Sequence, residues 1–463
     1  MARTGRGGKL GGMFQADSEL CEQVVALCQQ LIRLDTTNPP GGERIAADLL
    51  AQQLSEAGLD PVVMDSAPGR GNVVARLKGS GEKPPLLLTA HLDVVEADPS
   101  KWRYPPFSGE IAEGCLWGRG AIDMKNMAAM CVAIMCRLTR AGVRLQRDLI
   151  FAGVADEEAG CEYGSGWLVD NHPDLVRAEY AIGEGGGFNI ALAGKRFFTV
   201  QVAEKGYCWV RARVEGEPGH GSLPRNDSAV IRLSQAISRL GASGLPPHET
   251  RVVREFLDTI LGAQPKLVAT VLAALKSPQV LSRLVGLLPN KGVGRAVAAM
   301  LANTASPTVL RAGNKTNVIP GVAEVQIDGR TLPGQSDDDF LRELEAALGG
   351  EVKLDVIRSA PPVETHPKES PLYQTIVDVL RAREPDATPV PYMLPGFTDA
   401  KSFTRLGARW YGFAPVRLPP DMRFADMFHG HNERIPIDGL RWGTEVLTEV
   451  LWRFAGGGAN GGV

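Results

Sequence analysis

The stretch LLLTAHLDVV, residues 86–95, decides how the rest of the chain is read. Residues 86–90 are a short apolar run of the kind found in strands buried on both faces, and a histidine follows directly. Two more such runs recur downstream, LIFAGV at 149–154 and YAI at 180–182. Helical periodicity separates them. Residues 17–34 place Leu20, Val24, Leu27, Leu31 and Leu34 on one stripe behind a candidate cap at Asp17, and Asn38-Pro39-Pro40-Gly41-Gly42 ends that segment. A second helix is predicted over 43–57, stopping at Gly58. A third is predicted over 127–140, with Met127, Met130, Cys131, Ile134 and Leu138 on one face and Gly142 past its end. Buried strands alternating with helices predict an α/β sheet with helices on both faces.

The pattern changes near Lys205. Residues 207–214 alternate like a half-exposed strand, and 227–240 form an amphipathic helix. Strands are predicted over 316–332 and 351–357, around a helix over 337–348 capped by Ser336. That order matches an α+β sandwich of ferredoxin-like type. Residues 246–307, rich in Ala, Leu and Val with prolines at 265, 278 and 289, are expected to be a helical insert within it. The α/β pattern resumes after Pro361, with helices over 371–383 and 440–454 and a strand over 409–413. The expected division is a disordered tail (1–12), a first part of an α/β domain (13–204), an inserted domain (205–358, with its helical insert at 246–307) and the rest of the α/β domain (359–463).

The chain has 463 residues, 44% hydrophobic and 22% charged, an ordinary globular composition large enough for two or three domains. Fifty basic and 53 acidic residues leave a net charge of −3, which gives no support to nucleic acid or a membrane surface as partner. No apolar run is long enough to span a bilayer. Seven scattered cysteines without a C-x-x-C pair suggest reduced thiols and a cytoplasmic location.

Five separated residues carry candidate metal chemistry: His91 in LLLTAHLDVV, Asp123 in WGRGAIDMK, Glu158 in FAGVADEEAG, Glu184 in YAIGEGGG and His429 in MFHGHNERI. Three of them follow buried strands, and sites in open α/β sheets lie at the carboxyl ends of strands. Singly, each has an ordinary explanation, such as a helix cap for Asp123 or a solvated loop pair for Glu157-Glu158. Together, two imidazoles and three carboxylates form a borderline nitrogen/oxygen donor set that suits zinc, with Asp123 able to bridge two ions. Glu157 is then free to move protons. Asp93 is placed to accept from the second ring nitrogen of His91 and fix its tautomer. This set of residues reads as a dizinc amide hydrolase.

The segments HLDVV, GRGAIDMK, DEEAG, GHGSLP, TNVIPG, GFTDA and HGHNE resemble, in order and rough spacing, the dizinc metallopeptidase family 20. That family includes aminoacylases, carboxypeptidase G, acetylornithine deacetylase, succinyl-diaminopimelate desuccinylase and carnosinase-like dipeptidases. The resemblance implies a mixed-sheet zinc-hydrolase domain interrupted by a ferredoxin-like lid. It implies two zincs per chain, with Co2+ or Mn2+ able to substitute: His91 and Glu184 on one, Glu158 and His429 on the other, and Asp123 between them. It makes Glu157 the general base and the Asp123–Met124 peptide cis. The family places a Glu four residues after its C-terminal ligand; Glu433 stands four after His429, which favours His429 over His431.

In the inserted domain, His220 resembles a lid histidine that reaches a neighbouring subunit's site and binds the developing oxyanion. Asn317 and Arg330 resemble residues that bind the substrate carbonyl and carboxylate, and Thr398 lies in a loop that lines the family's pocket. For Arg330 a surface salt bridge is nearly as good a reading. The implied reaction is hydrolysis of an N-acyl-amino acid or short peptide by a hydroxide held between the zincs, in a homodimer formed through the lid. The rival readings are a non-catalytic relative that binds a ligand, and an ester or carbamate hydrolase using the same residues.

Overall fold

The computed structural model describes residues 14–192, 194–265, 277–285, 291–367 and 370–456. The expected tail at 1–12 lies outside them. The chain divides into two compact units. The first comprises Met1–Val200, His366–Pro389 and Ser402–Val463; the second comprises Gln201–Thr365 and Val390–Lys401.

The first unit is built on a mixed sheet. Its strands run Val62–Asp65, Gly71–Leu77, Leu149–Val154, Leu86–His91, Tyr180–Gly183 and Arg409–Gly412 in spatial order. Leu86–His91 lies between Leu149–Val154 and Tyr180–Gly183 and is parallel to both. Arg409–Gly412 continues the parallel set, and Gly71–Leu77 is antiparallel to Leu149–Val154. The three central strands are buried at every residue, as their apolar runs predict. Because they are parallel neighbours, their carboxyl ends form one rim.

The helix Ser18–Ile32 begins where expected, with the Asp17 side chain accepting from the Leu20 backbone N–H. The helix Lys125–Arg140 is buried on nearly all sides rather than along one stripe. It packs against Ser18–Ile32, Arg44–Glu56, Ile437–Phe454 and the strand Leu86–His91. Ala128, Ala129 and Ala133 are small enough to admit these neighbours. Lys125, at its first turn, is fully buried and donates to the carbonyls of Leu31 and Leu34 at 3.0 and 2.7 Å, which satisfies the end of the first helix. Burial lowers its pKa to about 8.

The second unit has a four-stranded antiparallel sheet, ordered Thr304–Ala312, Val322–Thr331, Gly206–Glu215 and Lys353–Ala360. The helices Ala229–Ser243 and Asp337–Leu348 contribute Leu233, Ala236, Leu240, Phe340, Leu344 and Leu348 to one apolar core with the sheet. The element order is that of the ferredoxin-like sandwich. The predicted strand over 316–332 is in fact two, Val318–Ile319 and Val322–Thr331, parted at Pro320-Gly321. Within the expected insert, Arg251–Gly262, Pro278–Val285 and Lys291–Leu301 are helical, and residues 266–276 and 286–290 lie outside the described residues. Its last residues are not helical: Thr304 opens an edge strand that contains Pro307. Residues 390–401, placed by sequence with the closing part of the α/β domain, cluster with the second unit. Glu204 draws them in by accepting from Thr398 Oγ1 at 2.6 Å and Lys401 Nζ at 2.8 Å.

No helix among the described residues is long and apolar enough to cross a membrane. All seven cysteines are unpaired with one another and buried.

Candidate metal centre

All five ligand candidates belong to the first unit, and the rim of parallel strands gathers them. His91 is the last residue of the central strand, and Glu184 follows the neighbouring strand Tyr180–Gly183. Glu157 and Glu158 stand on a single 3-10 turn, Glu157–Ala159, just past Leu149–Val154. Asp123 precedes the helix Lys125–Arg140, and the Asp123–Met124 peptide is cis. His429 comes from a loop before the strand Arg434–Pro436, with its backbone in the left-handed region at φ 57°.

The donor atoms form two trios that share Asp123: His91, Asp123 and Glu184, and Asp123, Glu158 and His429. Within each trio the atoms lie within 4.8 Å of one another. Asp123 turns its two oxygens to different sides. Oδ1 is 3.1 Å from His91 Nε2, and Oδ2 is 3.3 Å from His429 Nε2. Glu184 Oε2 stands 3.6 Å from His91 Nε2, and Glu158 Oε2 stands 2.9 Å from His429 Nε2. Of the two histidines in HGH it is His429 that joins a trio; His431 is exposed.

The electrostatics describe a site that wants positive charge. Burial alone would push the His91 imidazole down, but the Glu184 charge and the hydrogen bond with Asp123 outweigh it and raise its pKa well above the ordinary value. Hydrogen bonds to Asp123 and then Glu158 push His429 up to about 10. Burial would raise the Asp123 carboxyl, yet contacts with both imidazoles hold it well below the usual carboxylate range. Burial and the neighbouring Asp123 charge push Glu158 up. Three carboxylates outnumber two imidazoles even if both rings are protonated. That excess of negative charge suits a divalent cation, and the nitrogen and oxygen donors present fit zinc.

The surrounding contacts orient these groups. His91 Nδ1 meets the backbone carbonyl of Asp93 at 2.9 Å, while the Asp93 carboxylate stands at 3.6 Å. The partner expected for this ring nitrogen was the Asp93 carboxylate; the carbonyl takes that place because the carboxylate is occupied elsewhere. Asp93 accepts from the Glu157 and Glu158 backbone N–H groups at 3.1 Å each and from Asn38 Nδ2 at 2.8 Å. Either way Nδ1 is engaged and Nε2 faces the trio. Glu433 proves to be more than a spacing marker. Fully buried, it accepts from the N–H groups of Gly120, Ile122 and Asp123 at 3.1, 2.8 and 3.2 Å and from Arg119 Nη1 at 2.6 Å, so it fixes the loop carrying the shared ligand. Burial pushes its carboxyl up to about 7. Its four-residue distance from His429 was the only sign of it in the sequence.

His220, Asn317 and Arg330 of the expected inserted domain, and Thr398 from the segment after it, all belong to the second unit and do not form one cluster. His220 is exposed, and its Nδ1 lies 2.7 Å from Ser222 Oγ. Asn317 is exposed on the facing turn, where its carbonyl accepts from Gly221 N–H at 2.9 Å. Arg330 gives Nε and Nη2 to Asp328 at 2.8 and 3.1 Å and lies over the Phe397 ring, so the salt-bridge reading describes this conformation. Thr398 is fully buried with its hydroxyl on Glu204, which makes it a brace within the unit and not a pocket-lining group here.

A mixed α/β sheet with two donor trios at its parallel rim, joined through one carboxylate, is the architecture of an M20-type metallopeptidase. Residues 87–453 match Peptidase family M20/M25/M40, and the chain belongs to that family. Among its sequence relatives is the N-fatty-acyl-amino acid synthase/hydrolase PM20D1 of Xenopus tropicalis, 30% identical over 381 residues that span 79% of this chain and 72% of that protein. Aminoacylase-1 of Mus musculus is 25% identical over 453 residues, 96% of this chain and 98% of that protein. In fold, the chain is similar to an M20 family metallo-carboxypeptidase from Sulfolobus solfataricus, with a TM-score of 0.70 at 20% identity over 95% of this chain and all of that one.

Proposed function

We propose that this chain is a two-metal amide hydrolase that releases an amino acid from an N-acyl-amino acid or short peptide. The observation that carries this reading is the sharing of Asp123 by two donor trios, with a further buried carboxylate, Glu157, beside the ligand Glu158. His91, Asp123 and Glu184 would hold one ion; Asp123, Glu158 and His429 would hold the other. Bound zinc, or cobalt or manganese in its place, supplies Lewis acidity and acidifies water toward a pKa of ~7. The rest is the work of the chain's own side chains. Glu157 takes the proton of the attacking water and returns it to the leaving nitrogen. Asp93 holds both neighbouring glutamates by their N–H groups and His91 through its carbonyl. His220 donates to the developing oxyanion, supplied across a homodimer formed through the second unit. Asn317 and Arg330 bind the carbonyl and carboxylate ends of the substrate, and Arg330 exchanges part of its Asp328 fork to do so.

The names of the relatives support the substrate class: one is named an N-fatty-acyl-amino acid synthase/hydrolase and another an aminoacylase. The test is a panel of N-acyl-amino acids, dipeptides, esters and carbamates, run with metal analysis before and after prolonged chelation. The expected result is amide hydrolysis with about two metal ions per chain, abolished by chelation and restored by zinc, cobalt or manganese. Full activity in metal-free protein would overturn the metal reading, and turnover of esters or carbamates alone would overturn the amide reading.

A further inference from the structure

The turn that carries Glu157 and Glu158 is held by a buried polar cage that takes no direct part in the chemistry above. Asp156, the residue before Glu157, has a left-handed backbone at φ 67°. A residue with a β-carbon keeps that conformation only when its surroundings over-determine it. Every polar group of Asp156 is engaged. Its Oδ1 accepts from Arg70 Nη2 at 2.5 Å and from Asn38 Nδ2 at 3.1 Å, and its Oδ2 accepts from Tyr163 N–H at 3.0 Å. Its own N–H donates to Glu43 Oε1 at 3.2 Å, and its carbonyl accepts from Cys161 N–H at 2.6 Å.

The partners are tied to one another as well. Arg70 Nη2 lies 3.1 Å from Glu43 Oε1, and Arg70 Nη1 donates to Asn38 Oδ1 at 3.1 Å and to the Pro40 carbonyl at 2.8 Å. Glu43, Asn38, Arg70 and Asp156 are each no more than 7% exposed. Asn38 Nδ2 also donates to Asp93, the carboxylate that receives the N–H groups of Glu157 and Glu158. The cage therefore fixes the backbone direction at 156, and Asp93 fixes the two residues that follow.

We infer that Glu43, Asn38, Arg70 and Asp156 are positioning residues that aim Glu157 by holding the left-handed turn at Asp156. The inference rests on the reading of Glu157 as the general base. A misplacement of about 1 Å at a reacting group costs on the order of 10²-fold, and outer contacts around a metal site typically matter 10–100-fold. Glu157 is bonded directly to Asp156 and takes the change in backbone direction first, whereas the Glu158 side chain is also held by His429 at 2.9 Å, so metal binding survives.

The test is Asp156→Gly, which permits the same φ but cuts every side-chain tie, compared with Asp156→Asn, which keeps the shape and one acceptor oxygen. Asp156→Gly is expected to lower kcat by about 10–100-fold with KM and metal content unchanged, and Asp156→Asn to recover much of the loss. In a Glu157→Gln background, Asp156→Gly should cost no further activity, because the group it aims is already gone. An equal loss in both backgrounds, a loss of metal in step with activity, or an unchanged kcat would each overturn the cage as an aiming device. Should Asp156→Gly fail to fold, Arg70→Lys, which keeps the charge and removes the fork, carries the same comparison. Wild-type turnover in the Glu157→Gln single variant would sink the base reading itself, a result separable from all of these.

Discussion

In the first unit, five donors from separate loops and strand ends form two close trios that share Asp123. In the second, the four residues of functional interest each find a partner close by: Ser222 for His220, Asp328 for Arg330, Glu204 for Thr398 and Gly221 N–H for the Asn317 carbonyl. Gathering carboxylates in a buried place costs energy unless a cation or hydrogen bonds compensate. In the first unit Glu433 braces the loop of Asp123, and Asp93 with the cage around Asp156 braces the turn of Glu157 and Glu158. Among the described residues the second unit has no such donor trio. There Arg330 and Thr398 have side-chain partners of their own, and on the proposed reading Arg330 exchanges part of its Asp328 fork for a substrate. On the proposed reading, the difference separates a metal centre already assembled in the chain from substrate-binding groups that act only when a substrate is bound.

The sharpest way to break this contrast is to remove a ligand. His429→Ala is expected to lose metal from the trio it serves and nearly all activity, whereas His431→Ala should keep both metals, as measured by metal analysis of purified protein. A reversed outcome would move the ligand to His431. Glu157→Gln should then separate chemistry from binding: metal content stays, and turnover falls by about 10²–10⁴-fold, the usual range for a lost general base. Glu158→Gln should instead lower the metal content. If Glu157→Gln released metal and Glu158→Gln did not, their roles are exchanged.

The first unit is legible because its central strands are compact apolar runs and three of the five ligands, His91, Glu158 and Glu184, follow them, which places those three on a common rim. The supports were less legible. Asn38 and Arg70 lie 118 and 86 residues before Asp156, and nothing in the local pattern joins them. Gly71–Leu77 escaped notice because Asn72 and Arg76 break its apolar run, although Asn72 is fully buried and its side-chain oxygen accepts from Ala155 N–H. In the second unit Thr304–Ala312 was absorbed into the helical insert. It is an edge strand, mostly exposed, so it has no buried alternation to read, and Pro307 is tolerated there because the register shifts between Pro307 and Val309.

His220 tests the other half of the contrast. His220→Ala should retain its metal and fold yet lose about 10²–10³-fold in turnover, the usual cost of one oxyanion donor. Mixing it with Glu157→Gln under subunit exchange should restore part of the activity, because a mixed dimer holds one site with both residues intact. Mutants that remain dimeric and recover nothing on mixing would mean that the histidine is not shared between chains.

The smallest effect asks whether the second unit's local order matters to chemistry at all. Its helix Asp337–Leu348 opens with a capping box: the Asp339 N–H donates to Ser336 Oγ at 3.2 Å, and the Ser336 N–H donates to Asp339 Oδ2 at 2.9 Å. Three aspartates in the first turn add favourable charge at the positive end of the helix. Ser336→Ala removes one acceptor and leaves the apolar face of Phe340, Leu344 and Leu348 in place, so the expected cost is about 1 kcal/mol of stability. For a unit of this size that is a fall of roughly 2–4 °C in the midpoint of its thermal transition. Metal content and kcat should not change, since this helix carries none of the metal donors and none of the residues proposed to meet the substrate. A drop in kcat at a temperature where Ser336→Ala is still fully folded would show that the helix is coupled to the chemistry. The second unit would then have to be counted as part of the preassembled site rather than as a partner recruited to it.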